Sequence, residues 1–270
     1  MKKLVILTGA GMSAESGIRT FRDANGLWEE YDVMEVASPM GWAKDRELVL
    51  RFYNERRKQL ENCKPNAGHY GVAELEKLFD VHVITQNIDN LHERAGSTKV
   101  LHLHGELTKA RSTAYPDLIY DIGYKDINPG DLCERGSQLR PHIVWFGEAV
   151  PMMDEAVRIT SAADIFVVIG SSLNVYPAAG LIEYAPRGAS MFLIDPNEVY
   201  VPGSGNVEVI KAGASEGVEI LTERLMTSPP APLKGGLDPL LNNIICRVSA
   251  PLQGAWGAGN SLGGMEGLVF

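Results

Sequence analysis

The stretch TGAGMSAESGIRTFR, residues 8–22, decides the fold class of this chain. It follows the apolar run 4–7 and gives the spacing G-x-G-x-x-A at Gly9, Gly11 and Ala14. This spacing is typical of a strand-to-helix turn that approaches the pyrophosphate of a dinucleotide. A dehydrogenase would continue into a helix, a second strand and an acidic residue about 20 positions on. Here residues 20–28 are polar and aromatic instead, so the turn predicts a different kind of dinucleotide site.

Length and composition indicate an ordinary globular protein of 270 residues, 45% apolar and 22% charged. That is enough for one large domain, or one domain with a smaller inserted module. The formal net charge of -9 argues against nucleic acid as the main partner. Cysteines at 63, 133 and 246 are too few and too scattered for a disulfide framework, and no apolar run suits a signal peptide or a membrane span. We therefore expect a cytoplasmic protein with no membrane partner.

Short apolar runs alternate with amphipathic stretches along the chain. Helical spacing occurs over 45–61, 66–79, 152–161 and 215–225. The alternation predicts an α/β fold, a doubly wound parallel, Rossmann-like sheet with helices on both faces. The predicted strands are KLVILTG (3–9), VHVITQN (81–87), VLHLHGE (100–106), IFVVIGSS (165–172), MFLID (191–195) and VEVIKAG (207–213).

Two segments interrupt this alternation and predict a smaller domain built from two insertions. Residues of about 31–70 are helical without a strand, and about 107–140 are polar and rich in turns, as in a helical, zinc-module-like domain. The Rossmann-like part then comprises about 1–30, 80–106 and 141–227. Residues 228–270 are rich in proline and glycine and poor in charge. They predict a disordered or non-native tail, with a docking tail as the alternative.

Five segments occur in an order that resembles the sirtuin family of NAD-dependent protein deacylases. The resemblance covers about 1–226, within a catalytic domain of 1–227, and is greatest to bacterial members related to the mitochondrial deacylases that remove acidic acyl groups. It implies that NAD is consumed as a co-substrate, with release of nicotinamide and O-acyl-ADP-ribose, and that the partners are acylated-lysine proteins or peptides. The segments are GAGMSAESGIRTFR (9–22), TQNIDNLHERAG (85–96), HLHGEL (102–107), PHIVWFGE (141–148) and GSSLNVYPAAG (170–180).

The resemblance implies three groups of NAD-binding residues. The glycine turn and the loop after it would cover the ribose and nicotinamide, and a second group follows the strand VHVI. Where the family usually has asparagine at the adenosine end, this chain has Asp195, whose charge should alter NAD affinity. The three groups are Gly9, Ala10, Gly11, Ala14, Glu15, Thr20, Phe21, Arg22 and Trp28; Gln86, Asn87, Ile88, Asp89 and His104; and Gly170, Ser171, Ser172, Asp195, Asn197 and Ala214.

The resemblance also implies catalytic roles for three of these residues. His104 would be the general base that accepts a proton from a ribose hydroxyl, and histidine suits this because its ordinary pKa lies near working pH. Asn87 and Asp89, together with Ile88, would hold the nicotinamide carboxamide in a twisted position. As alternatives, Asn87 or Asp89 caps a helix that begins near residue 91, and His102 and His104, two apart on a strand, are metal ligands or buried hydrogen-bonded residues.

Acyl selection rests on RFYNERRKQL, residues 51–60. Tyr53 and Arg56 are three apart, so a helix places them on one face, where a phenol and a guanidinium can hold one carboxylate. The resemblance implies that, with this pair, the enzyme removes succinyl and malonyl groups as well as acetyl groups. The alternative is that Arg56 and Arg57 form a solvated basic face beside a half-buried Tyr53.

The resemblance further implies an acyl-lysine tunnel with Phe21 and Phe146 in its walls, although both aromatics also suit a core. The substrate backbone would pair as an added strand between 144–147 and 173–176. The substrate-binding residues are then Tyr53, Arg56, Val144, Phe146, Gly147 and Val175.

Sirtuins usually hold a structural zinc with cysteines in the small domain, and this chain lacks that set. Ser112 stands at the first expected cysteine, and only Cys133 lies near a later one. One thiolate does not complete a closed zinc site, so we expect no zinc and no other metal, with an apolar cluster in its place (Tyr115, Leu118, Ile119, Tyr120, Ile122 and Tyr124). Two further activities remain open: transfer of ADP-ribose to a protein, and a catalytically silent NAD-binding interaction module.

Overall fold

A computed structural model describes residues 1–18, 31–199 and 207–227. The strands are β1 (Lys3–Thr8), β2 (Asp80–Thr85), β3 (Val100–His102), β4 (Gly105–Ser112), β5 (Ile119–Asp121), β6 (Leu139–Ile143), β7 (Ile165–Ile169), β8 (Ser190–Ile194) and β9 (Val207–Ile210). The helices are α1 (Gly11–Ala14), α2 (Val33–Val36), α3 (Pro39–Lys44), α4 (Arg46–Asn62), α5 (Ala67–Leu75), α6 (Leu91–Ala95), α7 (Met153–Thr160) and α8 (Ala214–Thr227), with a 3₁₀ helix at Ala178–Tyr184.

Six parallel strands form the main sheet in the order β3-β2-β1-β7-β8-β9. The chain moves outward from β1 to β3 on one side, then returns to β7 and moves outward to β9 on the other. The order therefore reverses at β1 and β7, which confirms the predicted doubly wound fold. Ligands of such sheets bind outside the carboxyl ends of the strands at this switch point.

Helices cover both faces of this sheet, as predicted. Side chains of β1 alternate between the two faces because successive Cβ atoms of a strand point in opposite directions. Leu4 and Ile6 pack in one apolar core with residues of α5 and α8. Val5 and Leu7 pack in the other, with residues of α7 and the 3₁₀ helix. Burial on both faces explains why these strands read as continuous apolar runs.

A second, antiparallel sheet follows the order β5-β4-β6. Its core includes Leu107 and Ile143, and it packs with Val49 and Phe52 of α4. Helices 33–62 therefore share one apolar core with a sheet. The helices lie within the predicted segment of about 31–70, and the segment of about 107–140, expected to be polar and rich in turns, also contains the strands of this sheet, which were not predicted.

The predicted single strand VLHLHGE is in fact divided between the two sheets. The strand β3 ends at His102, and β4 begins at Gly105. Gly105 has φ +82°, and a Cβ there would lie 2.0 Å from the carbonyl oxygen of His142. Glycine is thus required where the chain leaves the parallel sheet and meets β6.

The described residues up to 227 belong to one compact unit. Within them, no helix has both the length and the apolar character needed to cross a bilayer. The predicted tail, 228–270, and the loop residues Thr20, Phe21, Arg22 and Trp28 lie outside the described residues. Those interpretations stay predictions.

Candidate active site

The glycine turn packs directly against the end of β7. Gly9 and Gly11 donate backbone hydrogen bonds to the carbonyl oxygens of Ile169 and Gly170, at 3.0 and 2.9 Å. A Cβ on Gly11 would lie 2.6 Å from Gly170 Cα, and one on Gly170, which has φ +61°, would lie 2.4 Å from Met12 N. These glycines are therefore also needed for contact between two backbones. The helix α1 that follows is one turn long, shorter than the turn alone predicts.

Asn87 and Asp89 are buried beside this turn and joined through Ser13. Ser13 Oγ donates to Asp89 Oδ2 at 2.9 Å and accepts from Asn87 Nδ2 at 3.1 Å. Asn87 Nδ2 also donates to the carbonyl oxygen of Gly9 at 3.0 Å. Burial raises the pKa of Asp89, against the hydrogen bonds from Leu91 N and Ser13, which lower it. The three side chains thus form a fixed polar cluster at the carboxyl ends of β1 and β2.

The capping alternative holds in part. Asp89 Oδ1 accepts the backbone hydrogen of Leu91 at 3.1 Å, at the start of α6. Its other oxygen, Oδ2, accepts from Ser13. Capping therefore explains the position of only one of the two carboxylate oxygens. The amide group of Asn87 instead donates to Gly9 and Ser13, outside α6.

The tautomer of His104 follows from its one hydrogen bond with the main chain. His104 Nδ1 lies 3.0 Å from the carbonyl oxygen of Gln86. A carbonyl only accepts, so Nδ1 carries the hydrogen and the neutral ring keeps a lone pair on Nε2. Burial lowers the pKa of His104 below 6.5, although the contact with Gln86 opposes this. His104 is therefore a neutral imidazole with Nε2 able to accept a proton.

His102 differs from His104 in charge. Its Nδ1 lies 3.0 Å from the carbonyl oxygen of Asn87, and its Nε2 lies 2.8 Å from Glu93 Oε1. Burial lowers the pKa of His102, but the hydrogen bond and charge of Glu93 outweigh burial and raise it overall. Both nitrogens donate to oxygen, so His102 serves as an ion-pair partner rather than as a metal ligand. Within the described residues no three histidine, cysteine or acidic side chains group as a metal site.

A second pair of histidines is buried behind the polar cluster. His92 Nε2 lies 3.2 Å from Thr8 Oγ1, which donates to Thr85 Oγ1 at 2.9 Å. The rings of His69 and His92 are 4.8 Å apart. Burial lowers the pKa of His69 to about 4 and that of His92 well below 6.5. Both rings are therefore neutral at pH 7.

Gln86 connects the two halves of the switch point. Its Nε2 donates to Ser171 Oγ at 3.0 Å, across from β2 to the end of β7. Ser171 is buried, and Ser172 next to it is half-buried. Gln86 of the second group and Ser171 of the third thus meet at one edge of the sheet, and Ile88 is half-buried.

The remaining predicted NAD-binding residues lie around the next strands. Buried Asp195 accepts from the backbone of Asn197 at 2.9 Å and from its side chain at 3.2 Å, and Asn197 is exposed.

Glu15 Oε1 accepts the backbone hydrogen of Ser215 at 3.1 Å, so Glu15 caps the start of α8 beside buried Ala214. Ala14 is exposed and Ala10 half-buried.

Tyr53 and Arg56 lie on one face of α4, but their side chains have different surroundings. Tyr53 is 3% exposed, and its Oη accepts from Trp145 Nε1 at 3.1 Å. Burial raises the pKa of Tyr53 to about 12, and the nearby charge of Arg56 opposes this. Arg56 is half-buried, with its guanidinium 3.1 Å from the centre of the Phe52 ring. The solvated alternative fails for Arg57, which is completely buried.

The segment after β6 is fixed by Glu148. One Glu148 oxygen accepts from Arg140 Nη1 at 2.7 Å, and the other accepts from the backbone of Trp145 at 2.8 Å. Arg111 also donates to this carboxylate. The Arg140 guanidinium lies 3.3 Å from the centre of the Trp145 ring. Trp145 is thus held by its ring, its indole nitrogen and its main chain.

The predicted substrate-binding residues around Trp145 are open to solvent. Phe146 is 44% exposed, which excludes a core role, and Gly147 and Val175 are exposed as well.

Val144 and Phe146 donate backbone hydrogen bonds to His104 and Ala37. Their N–H groups are therefore already used, and an added strand would rely on other main-chain groups of this segment. Phe21 lies outside the described residues.

The expected zinc positions hold a hydrogen-bonded turn. Ser112 Oγ accepts from the backbones of Ala114 and Tyr115, and it hydrogen-bonds to the Cys133 thiol, whose pKa it lowers. Cys133 Sγ also accepts from Ser137 N at 3.4 Å. One thiol and one hydroxyl do not fit zinc.

The expected apolar cluster was wrong in large part. Tyr115 and Ile119 are 38% and 46% exposed. Of the six residues, Ile122 and Tyr124 pack against the small-domain core. Ile119 and Tyr120 lie in β5, which is short and at the edge of its sheet, and Tyr115 and Leu118 precede that strand.

Several contacts of this site escaped the sequence analysis. Ser13 lies inside the quoted glycine motif and Trp145 and Glu148 inside PHIVWFGE, so their position in these motifs was an available signal. Glu93 and His92 lie inside TQNIDNLHERAG, but their partners do not follow from local sequence, since the contact of Glu93 with His102 depends on how α6 lies against β3. His69 lies outside the quoted motifs and carried no signal.

Comparison with known proteins gives consistent matches. A family model described as the Sir2 family matches residues 9–177. An NAD-dependent protein deacylase of Bacteroides thetaiotaomicron is 59% identical over 237 residues, which cover 85% of this chain and 100% of that protein.

Solved structures agree with the sequence matches. A Sir2 homologue in complex with NAD has a TM-score of 0.76 at 41% identity, covering 84% of this chain and 90% of that chain. A variant Sir2 protein with a deacetylated p53 peptide and 3'-O-acetyl ADP-ribose has a TM-score of 0.71 at 33% identity, covering 82% of this chain and 92% of that chain.

Proposed function

The chain belongs to the Sir2 family and is an NAD-dependent protein deacylase, and we propose that it removes carboxylate-bearing acyl groups as well as acetyl from lysine side chains. NAD serves as the co-substrate. Loss of its nicotinamide makes the ribose carbon electrophilic toward the acyl oxygen. With one water consumed as the lysine amine leaves, the products of the proposed reaction are nicotinamide, O-acyl-ADP-ribose and the free lysine.

The observation that carries the catalytic assignment is the contact between His104 and Gln86. It fixes the hydrogen on Nδ1 and leaves Nε2 as the proton acceptor. A neutral imidazole is the form that a general base requires, and burial keeps His104 neutral by lowering its pKa. We assign to His104 the removal of a proton from a ribose hydroxyl.

The polar cluster of Asn87, Asp89 and Ser13 supports a role in orienting nicotinamide. Its side chains are buried and linked to one another at 2.9 and 3.1 Å, so little reorganisation accompanies binding. The described residues fit a dinucleotide, because amide, carboxylate, hydroxyl and neutral imidazole groups meet at the switch point next to a glycine turn. We assign the described residues of the three NAD-binding groups to this edge.

Tyr53 and Arg56 support the preference for acidic acyl groups. A phenol that already accepts from Trp145 has its own hydrogen available for another oxygen. A guanidinium on the same helical face supplies the opposite charge for a carboxylate. Together they would hold the far end of a succinyl or malonyl group.

Partners and location complete the proposal. Protein or peptide substrates with acylated lysine agree with the peptide found in a related structure, and we propose no nucleic-acid or membrane partner. Cys63 and Cys133 are free thiols, which agrees with a cytoplasmic setting. We propose that the small domain works without zinc, since Ser112 and Cys133 do not complete a zinc site.

One experiment tests the activity directly. A peptide with one succinyl-lysine, and the same peptide with acetyl-lysine, are incubated with the purified chain with and without NAD, and all products are identified by mass spectrometry. We expect NAD-dependent loss of the acyl group from both, with stoichiometric nicotinamide and O-acyl-ADP-ribose. A peptide that gains ADP-ribose would show a transferase instead, and an unchanged peptide with unchanged NAD would show a silent binding module. Loss of acetyl alone would refute the acidic-acyl proposal.

A further inference from the structure

Trp145 contacts both ends of the region assigned to the acyl-lysine. Its main chain lies between Val144 and Phe146, in the segment assigned to the substrate backbone. Its indole Nε1 reaches Tyr53 Oη at 3.1 Å, on the helix assigned to the acyl carboxylate. Trp145 is itself buried, so it is placed to act through other residues and not by touching the substrate.

The hydrogen bond between Trp145 and Tyr53 has a fixed direction. Indole nitrogen only donates, so Tyr53 Oη accepts. A phenol has one hydrogen, and the contact with Trp145 excludes that hydrogen from the side of the indole. Since Tyr53 is buried on a helix, its ring has little freedom to turn. The hydroxyl hydrogen is thus directed away from the indole.

The position of the indole is itself constrained on three sides. The Arg140 guanidinium lies 3.3 Å from the centre of its ring. The Trp42 ring lies 5.7 Å away. Glu148 accepts from Trp145 N at 2.8 Å and from Arg140 Nη1 at 2.7 Å. One carboxylate therefore fixes both the main chain of Trp145 and the cation that packs on its ring.

We propose that Trp145 is a positioning residue for acyl selection: its indole N–H holds the Tyr53 hydroxyl in the orientation that donates to the carboxylate of an acidic acyl group. The inference rests on the proposed function of Tyr53 and Arg56. It assigns no contact between Trp145 and substrate. Acetyl-lysine has no carboxylate for Tyr53 to bind, so the two substrates should respond differently to loss of the N–H.

The test compares succinyl-lysine and acetyl-lysine peptides of one sequence at saturating NAD, with kcat and KM measured for each. The variants are Trp145→Phe, Tyr53→Phe and the double variant. We expect Trp145→Phe to lower the succinyl-to-acetyl ratio of kcat/KM about five- to tenfold, mainly through a higher KM for the succinyl peptide. In the Tyr53→Phe background, the second substitution should leave that ratio within about twofold.

Thermal unfolding of each variant separates positioning from folding. If Trp145→Phe does not fold, benzothienylalanine incorporated at position 145 replaces the N–H with sulfur at nearly the same shape. An equal loss on both peptides in a folded variant, or additive effects in the double variant, would overturn the role of Trp145. The proposed function fails separately: in that case the wild-type chain does not act on succinyl-lysine, or Tyr53→Phe leaves the ratio unchanged.

Discussion

Arg56 and Arg57 are neighbours in the chain, yet the structure gives them opposite surroundings. Arg57 is completely buried and donates to the carbonyl oxygen of Leu107 at 2.7 Å and to Asn54 Oδ1 at 2.6 Å. Arg56 lies against Phe52, one turn from Tyr53. Arg57 therefore has a structural role, and the proposed acyl-binding role belongs to Arg56.

Arg56→Met is expected to lower kcat/KM for a succinyl-lysine peptide by about 100-fold or more, because an acyl carboxylate would be left in the site without its cation. The loss for the acetyl-lysine peptide should be much smaller. Steady-state kinetics on the two peptides measures both values.

Arg51→Met on the same helix is the matched control, since Arg51 is exposed. It should leave the succinyl-to-acetyl ratio within about twofold. If Arg56→Met reduces both activities equally, Arg56 supports the fold and does not select the acyl group.

His104→Ala is expected to lower deacylation of either peptide by about a thousandfold, because a general base contributes about 10²- to 10⁴-fold. NAD should still bind, and isothermal titration measures this independently of turnover. His82→Ala, at the opposite end of β2, is the control and should retain turnover. Near wild-type turnover in the His104 variant would assign the base elsewhere.

The pH profile follows from the sign of the pKa shift of His104. The base is active when neutral, and burial places its pKa below 6.5. The acidic limb of kcat/KM should therefore be centred below pH 6.5, with activity rising to a plateau at higher pH. An acidic limb of kcat/KM centred above 6.5 would contradict a neutral, buried base.

Purified protein is expected to contain less than about 0.1 zinc per chain by elemental analysis, since one thiol and one hydroxyl do not complete a zinc site. EDTA should leave the unfolding temperature unchanged. Cys133→Ser should also leave metal content unchanged. Stoichiometric zinc that disappears with Cys133 would show that other residues of the chain supply ligands.

The free energy of unfolding is expected to decrease as the pH is lowered, because the His69 ring is buried in its neutral form. Its Nε2 has no partner among the described residues, and its pKa of about 4 lies below the ordinary 6.5. The unfolded chain therefore binds a proton first, so the contribution is complete above pH 6.5 and is lost as the pH falls toward 4. The difference amounts to about 3 kcal/mol.

Urea unfolding at pH 7, 6 and 5 measures this loss. His69→Gln should flatten the dependence, and the exposed variant Glu74→Gln serves as a control. An unchanged slope in His69→Gln would assign the acid sensitivity to other groups, of which His92 is the nearest.

The main sheet was predictable because its strands are buried on both faces and read as short apolar runs with polar residues at their ends. Those polar ends also gave Gln86, Asn87 and Ser171. The small sheet was not predictable, since Gly105 changes the strand assignment through a contact with His142 that lies far along the chain. Nor does local sequence distinguish Arg56 from Arg57, whose burial depends on a carbonyl oxygen of β4.

The central place of β1 has a consequence for synthesis on the ribosome. β1 pairs with β2 and, on its other edge, with β7, and Lys3 N bonds to Asp164 across 161 positions. Because translation adds about 5–20 residues per second, β7 follows β1 by roughly 8–30 s. During this interval an apolar strand stands unpaired at the edge of a partial sheet. The nascent chain is thus most exposed to aggregation before residue 169 is made, and a chaperone that binds extended apolar segments would act on β1 then.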